Sequence, residues 1–458
     1  MPISLKKNNK GSILLFILIF GAVSALLILS GVATYEIYEH KASFKKLEND
    51  RAFHIAEAGI DYYRWHLAHN PLDFQDGTAT LGPYVHPYLD KDGNVNGYYS
   101  LNITPPEVSN SSVLLESTGW TVAEPNSKRT VQVRLARPAL SDYSILSNAN
   151  INVGFTTEIH GAMHSNGGIR FDGITDSWVS SAKDRYQYEN QTHEGVWGAG
   201  GPKSFWKYPV PAADFVGITK DISVLRDAAV EAGELIPSSG VEGWHLVFKA
   251  DNTVDTYKVT ALNCYHGQGK YVSHVWKGTS YCYDVQTEVF VENMAIPTNG
   301  VIFVEDTVWV EGVINGYVSV ATARFPNQPS NYQKIIIPNS ITYAQEAGKV
   351  ALGLITQGDI IVPHTVPDTM RIDAALLSQF GSIFRPFYDG DEHTRLMVFG
   401  SQISYLGGGW KWVNGFGNVI SGFINTDNTF DSNLTYFPPP GFPVSDMYHV
   451  ISWEEVRR

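Results

Sequence analysis

Chemistry in a protein chain needs particular side chains at particular spacings, and this chain offers a few candidates. His160, His164 and Asp172 share one glycine-rich stretch, between Glu158 and Gly173. They read as a metal or acid/base cluster, because a four-residue step puts both imidazoles on one side of a helix or a strand. Gly161, Gly167 and Gly168 make the stretch non-helical, so zinc-protease geometry is excluded. His164-Ser165-Asn166-Gly167 reads better as a turn whose side chains satisfy backbone groups. Asp90, Asp92 and Asn94 alternate like the opening of a calcium loop. Val95, however, stands where such a loop needs Gly, and no Glu follows at the twelfth position. Asp92-Gly93 and Asn96-Gly97 are also strong hairpin-turn signals. Asp389-Gly-Asp-Glu-His393 has the oxygens for Ca²⁺, although a solvated loop is the better reading. A polysaccharide lyase or hydrolase would need converging carboxylates. Asp172, Asp176, Asp359, Asp373 and Glu305 are scattered, and nothing in their spacing makes them converge. No Gly-x-Ser-x-Gly elbow, phosphate loop or Cys-His nucleophile pattern is present. No catalytic residue, metal ligand or cofactor is therefore assigned, and the chain is read as a non-enzyme.

Aromatic residues are candidates for contact instead. Trp197, Phe205, Trp206 and Tyr208, then Trp410, Trp412 and Phe416, lie in Gly- or Pro-rich loops. Core packing is the default use of Trp, but loop Trp beside Gly also suits sugars or partner proteins. Trp206, Trp410 and Trp412 are the candidate ligand-surface residues, for a surface glycan or a protein. Cys264 and Cys282 are the only cysteines. In an exported chain they would pair, closing a loop of about 19 residues at a gain of ~3 kcal/mol. In reducing surroundings they would stay thiols. The net charge of −13 repels phosphate backbones and argues against nucleic acid as a partner.

These residues hang on an element that dominates the N-terminal region. From Ser12 to Thr34 runs an uncharged apolar stretch, preceded by Lys6, Lys7 and Lys10. It is long enough to cross a bilayer, which takes roughly 20 apolar residues, and the positive charge ahead of it keeps that end cytoplasmic. The chain does not break afterwards. Phe53, Ala56, Ile60, Tyr63 and Leu67 recur at three- and four-residue steps, so the spacing predicts one helix over 12–70, ended by Asn70-Pro71. Its first half is apolar all round and its second half amphipathic. A plain signal anchor would need only the first half. A signal peptide cut near Gly31-Val32-Ala33 is a further reading, although its apolar core exceeds the usual run of about 7 to 15 residues.

Lys10-Gly11-Ser12 and the apolar run that follows resemble the prepilin leader of type IV pilins. Ala56-Glu57-Ala58-Gly59 resembles a stretch of PilX-type minor pilins and K-type pseudopilins. The resemblance implies a leader, 1–11, cut between Gly11 and Ser12 by a prepilin peptidase. It also implies a single-pass protein with most of its mass outside the membrane, and other pilin subunits and membrane lipid as partners. Phe16, Phe53, Ala56, Glu57 and Ile60 would then belong to the assembly helix. Major pilins carry Glu at mature position five, where this chain has Phe16, so the resemblance points to an initiating or low-copy position in the filament.

The remainder reads as strands and turns. Residues 71–138 alternate as an antiparallel meander that would carry the helix's amphipathic half. From Pro138 short apolar beats separated by Gly and Asn suggest β-solenoid coils, expected over 139–180 and 298–458. Residues 181–297, with a helical pattern over 221–232 and the cysteine pair, read as an inserted α/β lobe. The expected class is α+β: a long N-terminal helix on a small antiparallel sheet, then a mainly-β module. A membrane-anchored carbohydrate-binding or carbohydrate-cleaving β-helix protein is the competing functional reading.

Overall fold

The computed structural model describes residues 10–106, 112–137, 143–213, 215, 221–272, 275–345, 350–435, 437–443 and 448–456. Residues 1–9, most of the expected leader, lie outside them. The chain forms two compact units. The first comprises residues 1–105, 113–135 and 450–458, and the second residues 106–112 and 136–449. The class is α+β.

Helix α1 spans Lys10–His69 without interruption, about 90 Å at 1.5 Å per residue. It starts two residues before the expected 12. Its apolar part contains a window with none of its residues buried. Further along, one face alone is covered: Glu48, Ala52, Ile55, Ala56, Ile60, Tyr63, His66 and Leu67 are buried, at the three- and four-residue steps of a helix. That face lies on a five-stranded sheet. Strands β1 (Tyr84–Leu89), β2 (Val95–Thr104), β3 (Ser112–Thr121) and β4 (Arg129–Ala136) come in chain order across it. Successive residues of β3 alternate between buried and half-buried, as a sheet with one covered face requires. The turn between β1 and β2 is closed by Asp90, whose carboxylate accepts the Asp92 and Asn94 N–H groups at 2.9 and 2.8 Å.

The fifth strand departs from the sequence reading. His449–Val456, expected in the distal module, forms the edge next to β4. Trp453 meets Phe53 edge-on at 5.9 Å, Arg129 lies over the Phe53 ring at 5.2 Å, and Arg129 pairs with Glu455. The second unit is thus inserted between two neighbouring strands of the first.

That second unit is a wound stack of short parallel strands. One wall runs Glu234–Ile236, Val301–Val304, Tyr317–Thr322, Ala351–Thr356, Thr369–Ser378 and Glu392–Ser404. It continues, against chain order, into Ile145–Ser147, Met163–Ser165, Val179–Ser181 and Trp206–Lys207. The chain therefore enters the stack in the middle, runs to one end, crosses to the other at residue 234 and winds back to meet its own entry. Residues 234–248, expected in a separate lobe, are rungs: Gly243–Phe248 pairs in parallel with Val308–Ile314. What projects is a hairpin, Thr253–Val272 with Val275–Ala295.

Two layers of side chains hold the stack. Inside the coil, aliphatic residues pile up in register, for example Val320 on Leu354 on Leu376. Outside the wall, helix α2 (Asp221–Ala232) covers it with Ile222, Leu225 and Ala229. The proline-rich stretch 438–443 lies along the side of the stack: Ser319 donates its hydroxyl to the Pro440 carbonyl at 2.7 Å, and Pro439 and Phe442 border Gly353. At the corner after seven of these rungs stands a hydroxyl. Thr322, Thr356, Ser378, Ser404, Ser147, Ser165 and Ser181 sit directly above one another. Thr356, Ser378, Ser165 and Ser181 each donate to a carbonyl of a neighbouring turn at 2.6–2.7 Å. These bonds help satisfy the buried carbonyls of the corners.

Candidate functional site

In the first unit the functional question is how the helix is seated. Ala56 and Ile60 are buried on the sheet, Phe53 is half-buried against Trp453, and Glu57 is half-buried and paired with His54 at 3.1 Å. Ala56-Glu57-Ala58-Gly59 has a physical reason here. A side chain on Gly59 would strike Tyr99 at 2.8 Å and also Ser117, and one on Gly119 would come within 2.5 Å of the Ala56 nitrogen and closer still to the Ala52 carbonyl. Helix backbone and strand backbone are in near contact, which only hydrogen-sized residues permit. Phe16 is 74 % exposed. Gly11 and Ser12 are helical, in the first turn of α1.

The helix end is locked by charge. Asp73 accepts the N–H groups of Gln75 and Gly77 at 2.8 and 2.7 Å and His66 lies 3.0 Å away. These contacts, the Gln75 N–H first, hold its carboxyl below the usual range. Asp76 is bound by His86 at 2.6 Å and Tyr62 at 3.2 Å.

In the second unit the candidate catalytic side chains are each spent on a local partner. His160 is bound to Asp176 at 2.7 Å, which raises its pKa. His164 is buried between Ser180 and Asn166 at 3.0 and 3.1 Å, and burial lowers its pKa. Asp172 holds Arg170, Asp373 holds Arg371 and Glu305 holds Arg226 at 2.9, 2.7 and 2.7 Å. Asp359 accepts the Ser382 N–H at 2.9 Å. Among the described residues no three His, Cys, Asp or Glu side chains are placed to hold a metal ion.

The acidic cluster at 389–393 turns out to serve an arginine that the sequence reading missed. Arg385 is fully buried. Its terminal nitrogens donate to the Pro363 carbonyl at 2.6 Å and the His364 carbonyl at 3.1 Å, pair with Asp391, and meet His393 at 2.9 Å. Burial works against the Asp391 anion, but the His393 hydrogen bond and the charges of Arg385 and His364 outweigh it, so its pKa is lowered. The only sequence signal was a charge lodged in an otherwise apolar beat, Ile383-Phe384-Arg385-Pro386-Phe387.

The projecting hairpin is tied at its root and along its length. His245 lies between Glu288 of the hairpin, 2.7 Å from Nδ1, and Glu311 of the next rung, 3.0 Å from Nε2 and off the hydrogen-bond line. Burial alone would lower its pKa, but the Glu311 and Glu288 carboxylates raise it further than burial lowers it. Cys264 and Cys282 face each other across the hairpin and are joined by a disulfide.

The three tryptophans divide. Trp410 is 6 % exposed, with its indole N–H on Gln402 Oε1 at 3.1 Å. It belongs to the core, because its ring closes the space inside the rungs, and it leaves the ligand-surface set. Trp206 is half-buried, with Lys203 over its ring at 5.3 Å. Trp412 is 43 % exposed.

Comparison with known proteins adds little. No protein-family model matches the chain, and no curated protein matches it. Among solved structures it is similar to the competence-associated pilin ComZ from Thermus thermophilus, with 15 % identity over 89 % of this chain and 97 % of that one. The TM-score is 0.29, too low for the likeness to carry an argument.

Proposed function

We propose that the chain is a minor type IV pilin-like subunit that primes or caps a filament and displays the rung stack, a β-solenoid module, for adhesion or assembly. One observation carries this reading. A single helix is bare and apolar over its first part and docked on an antiparallel sheet over its last. A membrane anchor alone has no use for the docked half. A helix that must leave lipid and pack among sister helices needs the sheet as a rigid handle, because burying its apolar face again in a fibre drives the exchange. The prepilin peptidase would cut before Ser12, and other pilin subunits and membrane lipid would be the helix's successive neighbours.

Mass spectrometry of the mature protein tests the first step: the N-terminus should be Ser12. A chain beginning at Met1 or Thr34 removes the filament reading. Sheared filaments should then contain the protein, and its retention in the membrane fraction alone would argue for a static anchor.

A further inference from the structure

We propose that a cavity beside α2 binds a neutral saccharide unit. The cavity holds about 450 Å³, within the roughly 300–1,000 Å³ of small-ligand sites. Three successive rungs end at it. Ile236, Val304 and Thr322 are in register, and the chain just beyond each supplies Ser238, Glu305 and Arg324 to the wall. Helix α2 adds Arg226 and Asp227, and Phe325 completes the wall, 45 % exposed.

The guanidinium groups are fixed yet not used up. Arg226 donates Nε to Glu305 Oε1 at 2.7 Å. Arg324 donates Nε to the Glu305 carbonyl at 3.2 Å and Nη2 to Ser238 Oγ at 2.8 Å, and pairs with Asp306 at 3.2 Å. Asp306 is buried and also takes the Ser239 N–H and hydroxyl at 2.8 and 2.7 Å, so it is a firm anchor. Among the described residues, the terminal nitrogens of Arg226, Nη1 of Arg324, Oε2 of Glu305 and the whole Asp227 carboxylate make no hydrogen bond within the protein.

The wall's charges select the ligand. Two arginines and the carboxylates of Asp227 and Glu305 line the cavity, with Arg226 paired to Glu305 and Arg324 to Asp306 behind it, so neither sign dominates the wall. An anion meets Asp227 and Glu305, a cation meets both guanidinium groups, and both are disfavoured. A ring of hydroxyls is donor and acceptor at once and can satisfy all of these groups together. Its C–H face can rest on the exposed side of Phe325. A neutral hexose unit has this chemistry. The inference needs only the rungs and α2, and stands whether or not the protein enters a filament.

The test is saturation-transfer NMR on the full chain in a detergent without a sugar headgroup. The probes are methyl glucosides, galactosides and mannosides and their disaccharides, with glucuronate and glucosamine as charged counterparts. At least one neutral saccharide should bind saturably and more tightly than its charged counterpart. Asp227→Ala should weaken it about tenfold or more, the loss expected for one charge-assisted contact, and Phe325→Ala should weaken it severalfold by removing the apolar rest, with the thermal midpoint unchanged in both. Asp227→Asn, which keeps the side-chain volume, should weaken it in the same direction. The proposal is overturned if no neutral saccharide saturates, if a charged counterpart binds better, or if folded Asp227→Ala and Phe325→Ala bind as the parent does.

Discussion

In the helix–sheet unit unlike elements meet, and each contact is made once. Gly119 lets the strand backbone approach the helix backbone, while Gly59 and Gly97 each make room for a side chain of the opposite element. In the rung stack like meets like: Ile336 sits on Ile361, and Ser147 on Ser165 on Ser181. The first is a fitted joint, intolerant of an added atom. The second is a repeated course in which a fault at one level is bridged by its neighbours. The difference suits a chain whose anchor must dock in one way while its module is free to vary by whole rungs.

The largest expected effect would break this contrast. Arg385 is a point where the stack relies on an unrepeated set of contacts. Arg385→Met should leave half-buried Asp391 with only His393 and His364 as partners and cost about 3 kcal/mol, read as a lowered denaturation midpoint for the second unit. A cost below that of a surface substitution would mean that the rungs close over the loss. Next comes the fitted joint. Gly119→Val should cost on the order of 3 kcal/mol by overpacking against Ala52 and Ala56, with faster proteolysis of α1 from residue 47 onward. Unchanged protection would show that the helix can slide on the sheet.

Smaller effects sharpen the comparison. Ser378→Ala removes one member of a repeated column, and the Gly358 carbonyl loses its donor at 2.6 Å; about 1 kcal/mol should go. A cooperative loss several times larger would make the column a single unit. The smallest effect is a pair of opposite pH responses. Asp73 has a lowered folded pKa, so its contribution is full above its unfolded value of about 4 and is lost as pH falls through the folded one. His245 has a raised folded pKa, so its contribution is full below about 6.5 and is lost as pH rises through the folded value. Hydrogen exchange should show residues 73–77 loosening in acid and the hairpin root loosening in alkali. Asp73→Asn and His245→Gln should each flatten one limb only.

What was legible in the sequence follows from range. The helix, its covered stripe and the turn at Asp90 are set by residues within a few positions of one another, and periodicity reports them. The short beats at 151–153, 301–304 and 351–356 were visible as strands for the same reason. Which beat lies on which is a long-range matter. Ser404 rests on Ser147 across more than half the chain, and no local pattern encodes that meeting. The same blindness placed 449–456 in the distal module, although Trp453 packs on Phe53. The candidate chemistry was misjudged where burial decides: Trp410 and Arg385 look like loop residues until rungs close around them.

The late return of residues 449–456 to the first sheet sets an order of manufacture. That sheet lacks its edge until every residue of the insert has been synthesised, since the closing segment follows all of them. A chain broken anywhere earlier would carry a bare β4, with Arg129 and the Phe53 ring uncovered, and an open edge of that kind invites aggregation and degradation. Completion of the first unit thereby depends on completion of the second, so truncated products would be screened out early.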